Sequence, residues 1–430
     1  MLISLLGLLA LLICLFIGLP IAWGMLLVGV VGFSFFAGMD AALSMAAQLS
    51  FDTVMSYSFT VLPLFILMGN LVNASGLSND LYRAAYAFIG HFRGGLAMAT
   101  ILACGAFSAL CGSSMATAAA MGRVAMPAMR RYQYDDRLAT GSIAAGGTLG
   151  ILIPPSVMMV VYGILTDTDI GKLFAAGFLP GILAILMYLL TIVIVTAINP
   201  ALGKPGERTS WRERLSAAKG VITITVLFVG IMGGIYGGIF TPTEAAGIGA
   251  FGTFLMTLYR RGWNPRLYLT VLIEAAQTTA VMFALVIGAL AFNNFLNVAG
   301  LPAGLQAWVQ GMDVPPLVVI LAICLIYLVL GCFLETMSMV LLTVPIFFPV
   351  VAGLGYDLIW FGIVVVVAAE ISLITPPLGL NLFMIKNIMP EIGLGTLILG
   401  AIPFVLTDIT RLLILILVPW IIMVLPNSMG

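Results

Sequence analysis

Charge is scarce in this chain. Only 8% of its 430 residues are Asp, Glu, Lys or Arg, where a soluble domain carries about a quarter. With 62% hydrophobic residues, the scarcity excludes a soluble globular protein and indicates an all-α polytopic membrane protein. Basic and acidic residues balance at 17 each, so no net field draws the chain to nucleic acid. Histidine occurs once, at His91, among aromatics and arginines. One histidine cannot make a histidine relay or an HExxH zinc site. The five cysteines (Cys14, Cys104, Cys111, Cys324 and Cys332) lie in apolar runs without metal-ligand spacing. They read as small core residues rather than disulfides or ligands. No GxxxxGK[ST] phosphate loop occurs, and Asp135-Asp136 sits in a basic stretch rather than an apolar one. An ATP-driven machine of that type and an intramembrane aspartyl protease are both disfavoured. What remains is a non-enzyme in the lipid bilayer, with no organic cofactor.

What the chain does have is helix breakers in the wrong place for a simple bundle. Residues 141–156 read GSIAAGGTLGILIPPS, with four glycines and the pair Pro154-Pro155 inside an apolar run. Two prolines remove two backbone donors, and the first disfavours helix at Ile153. In lipid, freed carbonyls are tolerated only where protein buries them or they line a cavity. A helix broken at membrane depth commonly marks an ion or substrate site in a secondary transporter; the plainer reading is a proline kink in a packing helix.

Along the chain, residues 2–38 suit two short crossings hinged near Gly18-Leu19-Pro20, read as retained rather than as a cleaved signal peptide. A helix is expected at 53–74, with a loop before it at 37–52. Segment 75–94, with Arg83, His91 and Arg93 among aromatics, suits an amphipathic interfacial helix. Residues 95–125 suit a re-entrant hairpin with its tip at Gly112-Ser113-Ser114. A basic loop at 123–137, the broken helix, a polar turn at 166–169 and a helix at 173–198 follow. Residues 200–220 form the longest polar connection.

The second half repeats the first. Pro154-Pro155 recurs as Pro376-Pro377, Tyr134-Asp135 as Tyr356-Asp357, Pro127 as Pro349 and Pro20 as Pro242, all 222 residues on. Cytoplasmic loops are rich in Lys and Arg. Loop 123–137 has four arginines and its counterpart 345–359 none; segment 75–94 has two and 299–316 has only Asp313; loop 37–52 has none and 259–268 has Arg260, Arg261 and Arg266. Equivalent loops therefore face opposite sides. The halves read as two inverted repeats, each with a re-entrant helical hairpin and a broken transmembrane helix, with both termini periplasmic and the linker cytoplasmic.

Two hairpin tips, at Gly112–Ser114 and at Glu335–Ser338, would face two breaks, at Gly146–Pro155 and at Thr375–Asn381 (TPPLGLN). Small hydroxyls and unwound carbonyls are hard oxygen ligands that suit Na⁺, and half-helix N-termini favour an anion. The plainer reading of each tip is a polar loop that merely caps its helices. Acids in apolar runs are costly and usually functional. Glu335, on the second tip, either ligates an ion or shapes the site. Glu370 is a proton-carrier candidate, although its partner position is Thr148. Glu244 is either functional or a helix-start cap after Pro242. Lys386 reads as a snorkelling residue.

Four motifs carry a family resemblance. GSIAAGGTLGILIPPS (141–156), GIYGGIFTPTEAAGIGA (234–250), ETMSMVLLTVPIFFPV (335–350) and ITPPLGLNLF (374–383) resemble the large membrane subunit of tripartite ATP-independent periplasmic (TRAP) transporters. The resemblance implies an elevator-type fold in a bacterial inner membrane and Na⁺-driven uptake of an organic acid anion. It also implies a periplasmic substrate-binding protein and a small four-helix membrane subunit as partners. It places one sodium site at Ser113, Ser114, Gly150, Ile153, Pro154 and Pro155, and a second at Thr336, Ser338, Thr375, Pro376 and Gly379. Asn381 would face the substrate cavity. The implied division is a first repeat at 1–198, a linker at 199–220 and a second repeat at 221–430. Within it, scaffold covers 1–74, 173–198, 221–293 and 393–425; arms cover 75–94 and 299–316; transport parts cover 95–170 and 317–392. A stand-alone Na⁺/carboxylate symporter of similar architecture, a channel built on inverted repeats and a structural membrane partner are the competing readings.

Overall fold

The computed structural model describes residues 2–429 apart from Asp313 and Leu378. Asp313 of the charge contrast therefore lies outside the described residues, as does one residue of TPPLGLN. Every regular element among the described residues is helical. The first half runs α1 (Leu2–Phe16), α2 (Ile21–Ala37), α3 (Met39–Met55), α4 (Val61–Ala74), α5 (Leu77–Ile89), α6 (Gly95–Cys111), α7 (Ser114–Arg131), α8 (Asp136–Leu152), α9 (Val157–Thr166) and α10 (Ile170–Ile198). The second runs α11 (Trp211–Tyr236), α12 (Pro242–Arg261), α13 (Pro265–Val298), α14 (Leu301–Gly311), α15 (Pro316–Leu330), α16 (Thr336–Gly353), α17 (Leu358–Ile374), α18 (Leu380–Ile388), α19 (Leu394–Leu417) and α20 (Trp420–Ser428). Helices α7 and α16 start and stop 222 residues apart, and so do α8 and α17. Among the described residues, six helices are long and apolar enough to cross a membrane, or seven if the α8–α9 pair, bent by 40°, counts as one.

Three expectations need correction. The stretch 37–52 is not a loop: α3 runs through it, because an alanine-rich sequence holds helix despite Asp40, Gln48 and Asp52. The basic loop at 123–137 shrinks to 132–135, since α7 continues to Arg131 past Pro127. The linker is shorter too. Ser210 and Glu213 form a reciprocal capping box that starts α11 at Trp211, inside the span expected to be polar connection.

Packing also regroups the helices. Helices α1–α4, α12 and α13 pack chiefly with one another, α2 on α13 and α4 on α12 above all, while α11 lies on α5 and α12. Helices α10 and α19 instead lie against α8 and α17, and α20 lies on α10. The expected grouping of 173–198 and 393–425 with 1–74 and 221–293 does not match this. Neither segment contains a long-range breaker like Pro154-Pro155, so their sequences look like plain scaffold; buried polar partners, described below, decide their place.

Close approach of α2 and α13 depends on missing side chains. A Cβ at Gly29 would lie 2.6 Å from the Ala291 carbonyl carbon, and one at Gly288 would lie 2.3 Å from the Ala22 oxygen. Small residues at membrane helix contacts let backbones meet and gain dispersion energy where no hydrophobic drive exists. Gly288→Leu should therefore force α2 and α13 apart and cost about 1–3 kcal/mol. The check is a lowered melting temperature in detergent, with Gly247→Leu, whose Cβ meets nothing within 4 Å, as the tolerated control.

Candidate functional site

The first turn lies where the first tip was expected. Gly112, at φ +62°, turns the chain between α6 and α7, where glycine carries no Cβ penalty. Ser113 N-caps α7, its hydroxyl accepting from the Ala116 amide at 3.4 Å. The second tip is displaced from the expected one. Its turn spans 331–335, Glu335 is the N-cap of α16, and Thr336, Met337 and Ser338 already lie in the first turn of that helix. Both breaks are present: α8 ends at Leu152, α17 ends at Ile374, and both Pro-Pro peptide bonds are cis.

Tip one is pressed onto break one. A Cβ at Gly150 would stand 2.5 Å from the Ser113 carbonyl oxygen and 2.8 Å from the Ser114 amide. The nearest atom to a Cβ at Gly112 would be the Pro155 oxygen, 3.5 Å away. Ser113, Ser114, Gly150 and Pro155 thus share one locality, rich in oxygen and without a fixed counter-charge. Among the described residues no cluster of His, Cys, Asp and Glu suits a transition metal. A cavity of about 220 Å³ opens beside this contact, and Ser113, Ser114, Glu335 and Thr336 all line it, so the two tips meet there. Asn70 and Thr278 complete its polar wall; the sequence reading missed both, because single polar residues on apolar helices carry no local signal.

The second set is drawn together less fully. Tip two touches α17 where a Cβ on Gly331 would collide with Ser372 Oγ. The Thr375 hydroxyl donates back to the Ile371 carbonyl at 2.6 Å. Ser338 is buried, and neither it nor Thr375, Pro376 or Gly379 lines the cavity. Asn381 also departs from its expected place. It is fully buried, and its Nδ2 donates to Ser114 Oγ at 2.8 Å and to the Ala144 carbonyl at 3.4 Å. It therefore steadies tip one from break two instead of facing the cavity. Glu244 is a helix-start cap: its Oε2 accepts from the Thr241 amide at 2.8 Å while its own amide donates to Thr241 Oγ1. Lys386 does not snorkel freely; its Nζ donates to the Pro390 and Ile392 carbonyls, each at 2.7 Å, closing the end of α18.

Glu370 sits in a buried network that the sequence reading did not assemble. Arg411 Nη2 donates to Glu370 Oε2 at 3.1 Å and lies 3.1 Å from Asp408 Oδ1. Tyr188 donates to Asp408 Oδ2 at 2.6 Å, and its hydroxyl also shares a 2.9 Å hydrogen bond with Thr148 Oγ1. Every ionised member has a relative exposure of 0%. Two carboxylates and one guanidinium thus tie α19 to α17, and Tyr188 ties α10 to α8. Asp408 and Arg411 stand three apart in the apolar run of α19, a pairing that could have been read beforehand.

With the geometry in place, comparison with known proteins is decisive. Residues 8–421 match the family model described as tripartite ATP-independent periplasmic transporter, DctM component. The chain belongs to that family. It is a TRAP large membrane subunit, and so a multi-pass membrane protein of a transporter family. A C4-dicarboxylate TRAP large permease from Pseudomonas aeruginosa is 38% identical over 91% of each chain. A sialic acid TRAP large permease from Vibrio cholerae is 31% identical over 96% of each. Among solved structures, the Alcanivorax borkumensis YdaH transporter matches with a TM-score of 0.55 at 17% identity, covering 90% of this chain and 89% of that one; at that identity the likeness is one of fold.

Removing one partner from a buried ion network strands the others without water. In this permease Arg411→Leu should cost about 3–5 kcal/mol, read as a large loss of folded yield and melting temperature. The triple change Glu370→Gln, Asp408→Asn, Arg411→Gln should recover part of that loss. A fully stable single variant would refute the mutual dependence of the three groups.

Proposed function

We propose that this TRAP permease drives Na⁺-coupled uptake of an organic acid anion across the bacterial inner membrane by an elevator mechanism. The observation that carries the reading is the seating of tip one on break one, with Gly150 against the Ser113 carbonyl and Pro155 facing Gly112. That contact gathers hydroxyl and carbonyl oxygens with no cation of their own, the donor set that Na⁺ favours. Ser113, Ser114, Gly150, Ile153, Pro154 and Pro155 would hold one ion; Thr336, Ser338, Thr375, Pro376 and Gly379 would hold a second. The cavity between the tips would take the anion, with no Lys, Arg or His on its wall among the described residues.

In this reading the halves are inverted repeats, and the paired helix bounds at an offset of 222 support it. The moving block comprises α6–α10 and α15–α20. Helices α10 and α19 belong to it because a dry ion network is a poor sliding surface: breaking it would strand charges in lipid. Helices α1–α4 and α11–α13 stay with the membrane, and α5 and α14 are the arms. A periplasmic binding protein would deliver the cargo and a small four-helix subunit would enlarge the fixed part, as the word tripartite in the family's description suggests.

Reconstituted with both partners, the permease should take up labelled dicarboxylate or monocarboxylate only under an inward Na⁺ gradient. Ser113→Ala or Thr336→Ala should raise the half-saturating Na⁺ concentration about tenfold, equivalent to ~1.4 kcal/mol, with protein abundance little changed. Uptake by this chain alone would favour a stand-alone symporter, and an unaltered Na⁺ requirement in both variants would remove the proposed sites.

A further inference from the structure

A second, larger cavity lies away from the hairpin tips. It measures about 780 Å³ and opens between the start of α5, the first turns of α11 and the end of α12. Three basic side chains line it, Lys219, Arg260 and Arg261, against one acid, Asp80. Asp80 is already taken: Arg260 Nη1 pairs with it, while Arg260 Nη2 donates to the Gly220 carbonyl at 2.7 Å. Lys219 and Arg261 have neither ion pair nor hydrogen bond among the described residues. The site therefore presents an excess of two positive charges with two free donor groups. Arg261 reaches across to α5, where its Nη2 fills the space a Cβ on Gly76 would need, 2.6 Å from that position.

The surroundings fix the depth. Trp211, Tyr259 and Trp263 are exposed at this end of α11 and α12, as aromatics are at a membrane–water boundary. One to three turns further in, Ile222 and Val226 on α11 and Phe251 and Leu255 on α12 present bare apolar side chains. A ligand here meets positive charge at its head and hydrocarbon along its tail. Basic pockets between membrane helices on the cytoplasmic side bind anionic headgroups.

We propose that this pocket binds the phosphodiester headgroup of one anionic phospholipid, with Lys219 and Arg261 as its ligands and the acyl chains along α11 and α12. The bound lipid fastens the Gly76 turn, where α5 begins, to the α11–α12 pair. The inference is independent of sodium coupling and of the cargo.

The experiment uses the full chain with its small subunit in phosphatidylcholine nanodiscs doped with phosphatidylglycerol, and counts retained lipids by native mass spectrometry. The parent should retain one phosphatidylglycerol in preference to phosphatidylcholine. The double variant Lys219→Ala, Arg261→Ala should lose that preference roughly thirtyfold, from ~1 kcal/mol per basic residue at the surface. Lys219→Arg, Arg261→Lys should keep it, and inorganic phosphate at millimolar concentration should not displace the lipid. No preference in the parent overturns the proposal without any variant. Equal retention in the double variant overturns it, as does displacement by inorganic phosphate, which would mark a free-anion site. Retention by the chain alone but not by the complex would assign the pocket to the small subunit and overturn it too.

Discussion

A backbone carbonyl or amide left without a partner in lipid costs several kcal/mol, and the architecture of this permease follows from where it breaks that rule. Helices α8 and α17 both come apart at a Pro-Pro pair. The first break is covered by a hairpin tip brought close enough that only glycine fits at position 150. The contact buries the unwound backbone and sets the Ser113 carbonyl and the Ser114 amide against Gly150. The Ser114 hydroxyl is held from the other side by Asn381 Nδ2. The first break and the first tip therefore form one packed unit.

A second constraint acts behind the breaks. The repeat alignment pairs Glu370 with Thr148, an asymmetry that looks like drift in one half. In the structure the two residues are opposite ends of one chain of contacts, through Arg411, Asp408 and Tyr188. Thr148 stands two residues before Gly150, and Glu370 five before Thr375. The network therefore connects the segments that lead into both breaks and binds them to α10 and α19. Removing charges from water is expensive and the pairing returns only part of it, so the network is better read as a device for holding four helices in one relation than as a source of stability.

How much of this was legible beforehand depended on the kind of signal. Breakers are local, so the tips, the breaks and the 222-residue repeat could be read directly from Gly112, Pro154-Pro155 and Pro376-Pro377. Polarity was read less well. The stretch 37–52 was expected as a loop where α3 runs, because helix propensity summed over seventeen residues outweighs its few polar side chains. Glu244 had two readings, functional or a helix-start cap, and the cap is what forms; Lys386, read as snorkelling, instead closes the end of α18, since a charged group near a helix terminus finds backbone partners. Asn381 carried the right motif, but its direction depends on the packing of α18 against α7, which no single-segment pattern encodes. The packing of α10 and α19 was illegible for the same reason: what holds them is a set of tertiary contacts among residues up to 220 apart.

The cavity itself constrains any account of cargo choice. Its wall offers hydroxyls, an asparagine, methionines and one carboxylate, Glu335, and no basic side chain. On the proposed reading, an organic anion entering such a space gains no ion pair from the described side chains. Attraction must then come from cations that enter with it or from oriented dipoles, and neither distinguishes one carboxylate from another by shape. Relatives named for cargoes as different as a C4-dicarboxylate and sialic acid share 38% and 31% of their residues with this chain over nearly its full length. A wall that binds charge through bound ions tolerates such variety, because the discriminating contacts need not lie in the membrane. On the proposed reading, cargo selection falls to the protein that meets the solute first, and the membrane subunit is free to preserve the geometry of its breaks.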